Sequence, residues 1–113
     1  KEDKVFGLKE EYTQAVISII SNAIHALKEK NNKNIKITSK KLNNKTVLSI
    51  EDNAGGIKEE IISKIFEPYF TTKHQFEGTG LGLYISKSII ENSMNGSLDV
   101  ENTKDGAKFS ITV

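Results

Sequence analysis

Hydrophobic residues recur at helical spacing near the start of the chain. Between about residues 9 and 29 the intervals are mostly three and four, which predicts an amphipathic helix. Its apolar side carries Tyr12, Val16, Ile19, Ile20, Ala23 and Leu27. The polar residues 31–34 end this pattern and predict a turn.

The residues that follow alternate between apolar and polar, which is typical of strands. Ile35 and Ile37 belong to the first alternation, and Leu48 and Ile50 belong to the second. The intervening Asn43-Asn44-Lys45 predicts a hairpin-like turn between two neighbouring strands.

The second half of the chain predicts two more helices and two more strands. They are expected as a helix at about 58–65, an irregular stretch at 66–78, a helix at about 80–93, and strands at 97–101 and 107–113. The predicted apolar stripe of the longer helix is Leu81, Tyr84, Ile85, Ser88 and Ile89. Paired strands with helices that can cover one face predict a two-layer α/β sandwich.

Composition narrows the classes of function. The chain has 113 residues, enough for one domain, and its net charge of +1 gives no electrostatic reason to expect nucleic acid as a partner. All 16 basic residues are lysine, so phosphate contacts must come from backbone N–H groups, lysine side chains or a metal. Cysteine is absent, which excludes disulfides, thiol catalysis and thiolate metal sites.

Asp52 ends the second alternating segment, on the same face as Leu48 and Ile50. This face is predicted to be buried, and a buried carboxylate needs hydrogen-bond donors. The exocyclic amine of adenine is one such donor. Alternatively, Asp52 only caps the turn before Lys58, because Asp-Asn-Ala-Gly-Gly is turn-prone.

Asn22 lies inside the best-patterned helix, where asparagine is about 0.5–0.7 kcal/mol less favourable than alanine. It shares a helix face with Ser18 and His25, so a polar strip runs beside the apolar stripe. A carboxamide oxygen is a suitable ligand for Mg²⁺. Alternatively, Asn22 is a buried residue that hydrogen-bonds to a neighbouring strand.

Three alternating glycines, Gly78, Gly80 and Gly82, open the second long helix. Glycine lets the backbone approach a ligand closely, and the N–H groups of a first helical turn favour anions, so this segment predicts a phosphate cradle. It matches neither the dinucleotide fingerprint nor the phosphate-loop signature, and a flexible hinge is the alternative. Lys73 precedes it and either meets a phosphate or is simply solvated.

Four segments in this order resemble the catalytic, ATP-binding domain of sensor histidine kinases, in the superfamily that also holds DNA gyrase B, Hsp90 and MutL. Residues 19–26 resemble the asparagine-containing N box, and residues 52–57 resemble the first glycine box. Residues 66–73 resemble the F box, and residues 78–83 resemble the second glycine box. The similarity spans nearly the whole chain.

The resemblance implies an α+β fold of the Bergerat type, a two-layer sandwich with a mixed, mostly antiparallel sheet and about three helices. It implies that ATP and Mg²⁺ bind, with Asp52 receiving the adenine amine and Asn22 acting as a catalytic residue and Mg²⁺ ligand. Lys73 is the second implied catalytic residue, within a mobile lid over residues 66–79. The implied nucleotide-binding residues are Asn22, His25, Ala26, Asp52, Gly56, Ile57, Phe70, Thr71, Thr72, Lys73, Gly78, Thr79, Gly80, Leu81, Gly82 and Leu83.

Three positions depart from the family pattern. Ala54 stands where the first glycine box has its leading glycine, and its methyl group is a small intrusion. His25 replaces a common lysine, so its phosphate contact would depend on protonation. Ser18 replaces the general-base glutamate of ATP-hydrolysing members, and a hydroxyl cannot activate water as a carboxylate can. Ser18 therefore argues against an ATPase.

Neither histidine lies in the His-Glu or His-Asp context of the family's phosphoacceptor, since His25 precedes Ala26 and His74 precedes Gln75. The resemblance thus implies that residues 1–113 are a catalytic domain without its dimerisation domain.

By the same resemblance, the chain would transfer the γ-phosphoryl group of ATP to a histidine on that separate domain, for relay to an aspartate of a response-regulator receiver domain. A monomeric isolated domain is expected within a homodimeric kinase, in the cytoplasm or on the cytoplasmic side of a membrane anchor. The alternatives are a nucleotide-responsive binding module without transfer activity, and a gyrase-like ATPase.

Overall fold

The computed structural model describes residues 2–68 and 82–113, with the backbone alone for residues 2–8. The elements are α1 (Glu2–Ala26), β1 (Ile35–Leu42), β2 (Lys45–Asp52), α2 (Glu59–Ile62), α3 (Gly82–Ser88), β3 (Ser97–Asn102) and β4 (Ala107–Thr112). A π-helical turn at Ile89–Ser93 continues α3. The predicted α+β class is confirmed.

The four strands form one sheet in the order β1-β2-β4-β3. All three pairings between these strands are antiparallel, in keeping with the expected mostly antiparallel sheet. The reason is that β1–β2 and β3–β4 are both hairpins, and β2 joins them by running against β4. The pairing of Glu51 with Lys108 brings the end of β2 beside the beginning of β4.

The turn between β1 and β2 has the geometry that its sequence predicts. Asn43 and Asn44 have φ angles of 55° and 68°. Two consecutive residues with positive φ are typical of the tight turns that match the twist of a hairpin, and asparagine tolerates this conformation.

The helices cover one face of the sheet and enclose the core. Its buried members are Ala15, Ile19, Ile50, Ile90, Leu98, Ala107, Phe109 and Ile111. The opposite face is polar, and one row across the four strands alternates in charge as Lys36, Glu51, Lys108 and Glu101. The arrangement is therefore the predicted two-layer sandwich, and no helix in the described ranges is long and apolar enough to cross a membrane.

The predicted apolar stripe of α3 is wrong at two positions. Tyr84 and Ile85 are 41% and 38% exposed, whereas Ser86 and Ile90 are fully buried. The Ser86 hydroxyl lies 3.3 Å from the carbonyl oxygen of Ala15, where α1 and α3 meet. Small residues let two helices approach closely, and a pattern that counts only large apolar residues misses such a contact.

The first two helices also differ from the prediction in their bounds. The first begins at Glu2, before residue 9, where the apolar pattern starts. The first helix ends at Ala26 rather than near residue 29, because the N–H of Lys28 bonds to the carbonyl of His25, three residues back, as in a tightened last turn. The second helix is a single turn at Glu59–Ile62. Boundaries of this kind depend on a few local hydrogen bonds that hydrophobic spacing does not encode.

Candidate functional site

Asp52 is the last residue of β2 and is only 7% exposed. Its Oδ1 accepts hydrogen bonds from the N–H of Ala54 at 2.9 Å and from the N–H of Ala107 at 3.2 Å. The turn-capping interpretation therefore applies to Oδ1. Oδ2 has no donor among residues 2–68 and 82–113. A buried carboxylate with one oxygen fixed and the other without a donor is suited to bind a ligand N–H group.

The two glycines after Asp52 have the conformation that requires glycine. Gly55 and Gly56 have φ angles of 101° and 91°, in the left-handed region that side chains disfavour. Ala54 is not among the residues with positive φ, which explains why an alanine fits there. The N–H of Gly55 donates to the carbonyl of Asp105 at 2.9 Å, so this loop is attached to the turn between β3 and β4.

That turn contains site residues that the sequence reasoning missed. The Asn102 side chain makes two hydrogen bonds to the backbone of Ile57. Gly106 is buried, and a Cβ there would lie 2.6 Å from Oδ1 of Asp52 and closer still to the Asp52 carbonyl oxygen. The sequence predicted strands at 97–101 and 107–113, on either side of this turn, but only the β2–β4 pairing shows that the turn packs against Asp52. We call Asp52, residues 53–57 and residues 102–107 the turn cluster.

A second group of predicted residues lies along α1. Ser18, Asn22 and His25 are half-buried on one side of the helix, beside the buried Ile19 and Ala23. The side chain of Asn22 has no hydrogen-bond partner in the part of the chain that the structure describes, and the alternative of a bond to a neighbouring strand is not found there. We call Ser18, Asn22 and His25 the helix strip.

The end of α1 borders an open cleft of about 380 Å³. It is lined by Ser21, Ile24, His25, Lys28 and Lys33. His25 is the residue that this cleft shares with the predicted site, and Asp52 does not line it. The cleft therefore extends the helix strip and not the turn cluster. Ala26, the last residue of α1, is exposed.

Two residues of the second glycine box are described. Gly82 is exposed at the beginning of α3, and a Cβ there would meet no atom of the described residues within 4 Å. Leu83 is half-buried and packs against the core. The remaining predicted site residues lie outside the described ranges, and they are Phe70, Thr71, Thr72, Lys73, Gly78, Thr79, Gly80 and Leu81. The phosphate cradle and the lid thus stay predictions.

The beginning of the F box is fixed to the core. The ring of Phe66 meets that of Phe109 edge to face, with the centroids 6.2 Å apart. The ammonium group of Lys87 lies 4.7 Å from the Phe66 centroid, and it also donates to the carbonyl of Leu98 at 2.9 Å. An aromatic contact, a cation–π contact and a hydrogen bond therefore join this segment to α3 and β3.

The described residues contain no cluster of three or more His, Cys, Asp or Glu side chains that could hold a metal ion. A metal in this part of the site would therefore depend on few protein ligands. Mg²⁺ suits such a site, because it commonly keeps several waters and binds substrate phosphates alongside one or two protein oxygens.

Residues 7–113 match the family described as histidine kinase-, DNA gyrase B- and HSP90-like ATPases. Among curated proteins, the chain is 35% identical over 116 residues to the two-component sensor PprA of Pseudomonas aeruginosa. That match covers 95% of this chain but 12% of PprA. The chain therefore corresponds to a small part of this relative.

Among solved structures, the chain is similar to those of a histidine kinase. The catalytic domain of histidine kinase ThkA, in a nucleotide-free form, has a TM-score of 0.80 and 38% identity, over 92% of this chain and 67% of that one. A complex of ThkA with the response regulator protein TrrA has a TM-score of 0.70 and 37% identity, over 88% of this chain and 27% of that one.

Proposed function

The chain belongs to the family of histidine kinase-, DNA gyrase B- and HSP90-like ATPases, and we propose that within it the chain is the catalytic domain of a two-component histidine kinase. In this role it binds ATP with Mg²⁺ and transfers the γ-phosphoryl group to a histidine outside residues 1–113.

The observation that carries this proposal is the environment of Asp52. Two backbone N–H groups hold Oδ1, so the carboxylate cannot rotate freely, and Oδ2 is left to accept the exocyclic amine of adenine. A guanine base presents a carbonyl oxygen at the corresponding position, and two acceptors repel each other. Asp52 therefore selects ATP over GTP.

Asn22 fits the proposed magnesium site by its chemistry. Its carboxamide oxygen is a hard ligand, the side chain is half-buried, and no described residue donates to it or accepts from it. Mg²⁺ would neutralise charge on the phosphates. Asn22 in turn positions the phosphates relative to the purine that Asp52 holds, and His25 adds a contact one turn further along α1.

Residues of the lid and of the second glycine box complete the proposed site. Backbone N–H groups at Gly78, Gly80 and Gly82 surround the phosphates, and Lys73 supplies a positive charge. Since the chain has no arginine, this lysine takes the place of a guanidinium group.

The proposed reaction is a phosphoryl transfer. The bond between the γ-phosphorus and the bridging oxygen of ATP breaks and ADP leaves, while a phosphorus–nitrogen bond forms to the acceptor imidazole, which releases its proton to solvent. A neutral imidazole is already a nucleophile, so positioning and charge neutralisation supply most of the catalysis. Ser18 supports transfer over hydrolysis, because no carboxylate stands at its position to activate water.

The partners in this proposal are the dimerisation domain of the same kinase and a response-regulator receiver domain. The similarity to ThkA, which has been solved in complex with the response regulator protein TrrA, supports a response regulator as partner. Homodimerisation belongs to the complete kinase, and a cytoplasmic or cytoplasm-facing location follows from the same role.

The test is to mix the chain with its cognate dimerisation domain, magnesium and ATP labelled at the γ-phosphate. We expect acid-labile phosphohistidine on the dimerisation domain and little inorganic phosphate from the chain alone. Nucleotide binding without any phosphohistidine would instead indicate a nucleotide-responsive binding module, and rapid release of inorganic phosphate would indicate an ATPase.

A further inference from the structure

Asn102, at the end of β3, hydrogen-bonds to the backbone of Ile57 through both the oxygen and the nitrogen of its carboxamide. Its Oδ1 accepts from the N–H of Ile57 at 2.7 Å, and its Nδ2 donates to the carbonyl of Ile57 at 2.7 Å. Two bonds from one planar group to a single residue fix both the position and the rotation of that residue. The side chain thus acts as a short strand partner for the loop.

Among the described residues, the backbone of Gly56 and Ile57 makes no hydrogen bond other than those between Ile57 and Asn102. Gly55 and Gly56, which precede Ile57, have φ angles of 101° and 91° and large conformational freedom. A Cβ on Gly56 would lie 3.0 Å from Oδ1 of Asn102, so the loop and the carboxamide are also in close contact. Without Asn102, the backbone of residues 55–57 would retain the bond from Gly55 to Asp105.

The same turn also fixes Asp52. The N–H of Ala107, five residues after Asn102, donates to Oδ1 of Asp52. The β3–β4 turn therefore contacts both parts of the site. Ala107 bonds to the carboxylate of Asp52, and Asn102 bonds to the glycine loop. Asn102 itself is exposed, so its two bonds are not explained by a need to satisfy a buried side chain.

We propose that Asn102 is a positioning residue of the nucleotide site, which holds Gly56 and Ile57 at the place where the purine enters beside Asp52. This inference rests on the proposed function and adds to it a residue that does not touch the nucleotide. Asn102 acts on the affinity for the purine and not on the transfer of the phosphoryl group, because its contacts are confined to the turn cluster.

The test compares the 113-residue chain with its Asn102→Ala variant by calorimetric titration with magnesium and ATP, and separately with ADP, well below the unfolding temperatures. We expect both dissociation constants to rise by about tenfold, and by a similar factor, since both nucleotides carry the same purine. With the cognate dimerisation domain, the KM for ATP should rise by about tenfold while kcat stays within about twofold. These factors correspond to the loss of one or two ordinary hydrogen bonds.

Ile111→Val is the matched control, because it removes one methyl group from a fully buried core position that pairs with Leu48 and Leu98 and lies outside the turn cluster. It should lower stability without changing nucleotide affinity. Asn102→Asp is the second variant. It keeps an acceptor for the N–H of Ile57 but sets a second oxygen against the Ile57 carbonyl, and two acceptors repel each other, so we expect a loss of affinity at least as large as for alanine.

Wild-type affinity in Asn102→Ala would overturn the inference and leave the proposed function standing. The same holds for an equal loss of affinity in Ile111→Val, which would make the effect one of general stability. If the unaltered chain gives no heat with ATP and magnesium, the proposed function fails, and the role of Asn102 fails with it.

Discussion

The turn cluster and the helix strip are organised in opposite ways. In the turn cluster, Asp52, the glycine loop and the β3–β4 turn hold one another through a set of short hydrogen bonds. In the helix strip, the side chain of Asn22 has no such partner within the described ranges. One end of the site is held together by the fold itself, and the other presents the side chain of Asn22, to which residues 2–68 and 82–113 supply no hydrogen-bond partner.

This difference predicts how mutations behave. A residue of the turn cluster stabilises the fold and orients the purine at the same time, so its substitution should lower both stability and affinity. Asn22 has no such partner among the described residues, so its substitution should change the chemistry and leave stability nearly unchanged. A variant of the turn cluster that leaves stability and affinity unchanged, or an Asn22 variant that loses much stability, would contradict this difference.

Gly106→Ala should have the largest effect. A Cβ at Gly106 would collide with the backbone and carboxylate of Asp52, and backbone atoms cannot rotate away as a flexible side chain can. We expect the free energy of unfolding to fall by about 3 kcal/mol, as in severe overpacking. Urea denaturation would measure this fall. An unchanged denaturation midpoint would show that the turn does not pack tightly on Asp52.

Asn22→Ala should separate function from stability. Phosphoryl transfer should fall by about 100-fold, because a ligand that positions the metal and phosphates is lost. Stability should stay constant or rise by about 0.5 kcal/mol, since alanine is the better helix former. The checks are phosphohistidine formation at saturating ATP and thermal unfolding of the same sample. ATP affinity should remain within about threefold, and a large loss of stability would contradict the contrast.

The sequence was sufficient to predict the helix strip and most of the sheet. Spacings of four and three residues place Ser18, Asn22 and His25 on one side of any regular helix, and α1 is regular there. Alternation likewise predicted that Asp52 is buried. These features depend on local periodicity, which a single sequence records directly.

The turn cluster could not be predicted in the same way. Asn102 and Ile57 are 45 residues apart, and their contact exists only because β2 and β4 are neighbours in the sheet. The burial of Ser86 was missed for a related reason, since it follows from the close approach of α1 and α3. Contacts set by strand order and helix packing leave no periodic signal along the chain.

Asp52→Asn should weaken ATP binding by roughly 30-fold, or about 2 kcal/mol, as expected for a hydrogen bond to a charged acceptor. The amide still offers Oδ1 to Ala54 and Ala107, so most of the stability should remain. Asp52→Ala removes that acceptor as well and should lower both affinity and stability. Calorimetry with ATP and GTP provides the measurement. Equal affinity of the unaltered chain for the two nucleotides would contradict the role of Asp52.

Gly82→Ala should change stability the least of these variants, and it should raise stability while lowering ATP affinity. A Cβ at this position meets no atom of residues 2–68 and 82–113 within 4 Å, and its φ is not positive, so the described part of the fold gives no reason for a glycine here. In a helix alanine is favoured over glycine by about 1 kcal/mol, and we expect thermal unfolding to shift upward accordingly. If the glycine is present because phosphate approaches the backbone, ATP affinity should fall severalfold in the same variant, with AMP affinity unchanged. A variant that gains stability and keeps full ATP affinity would show that Gly82 is not part of the phosphate cradle.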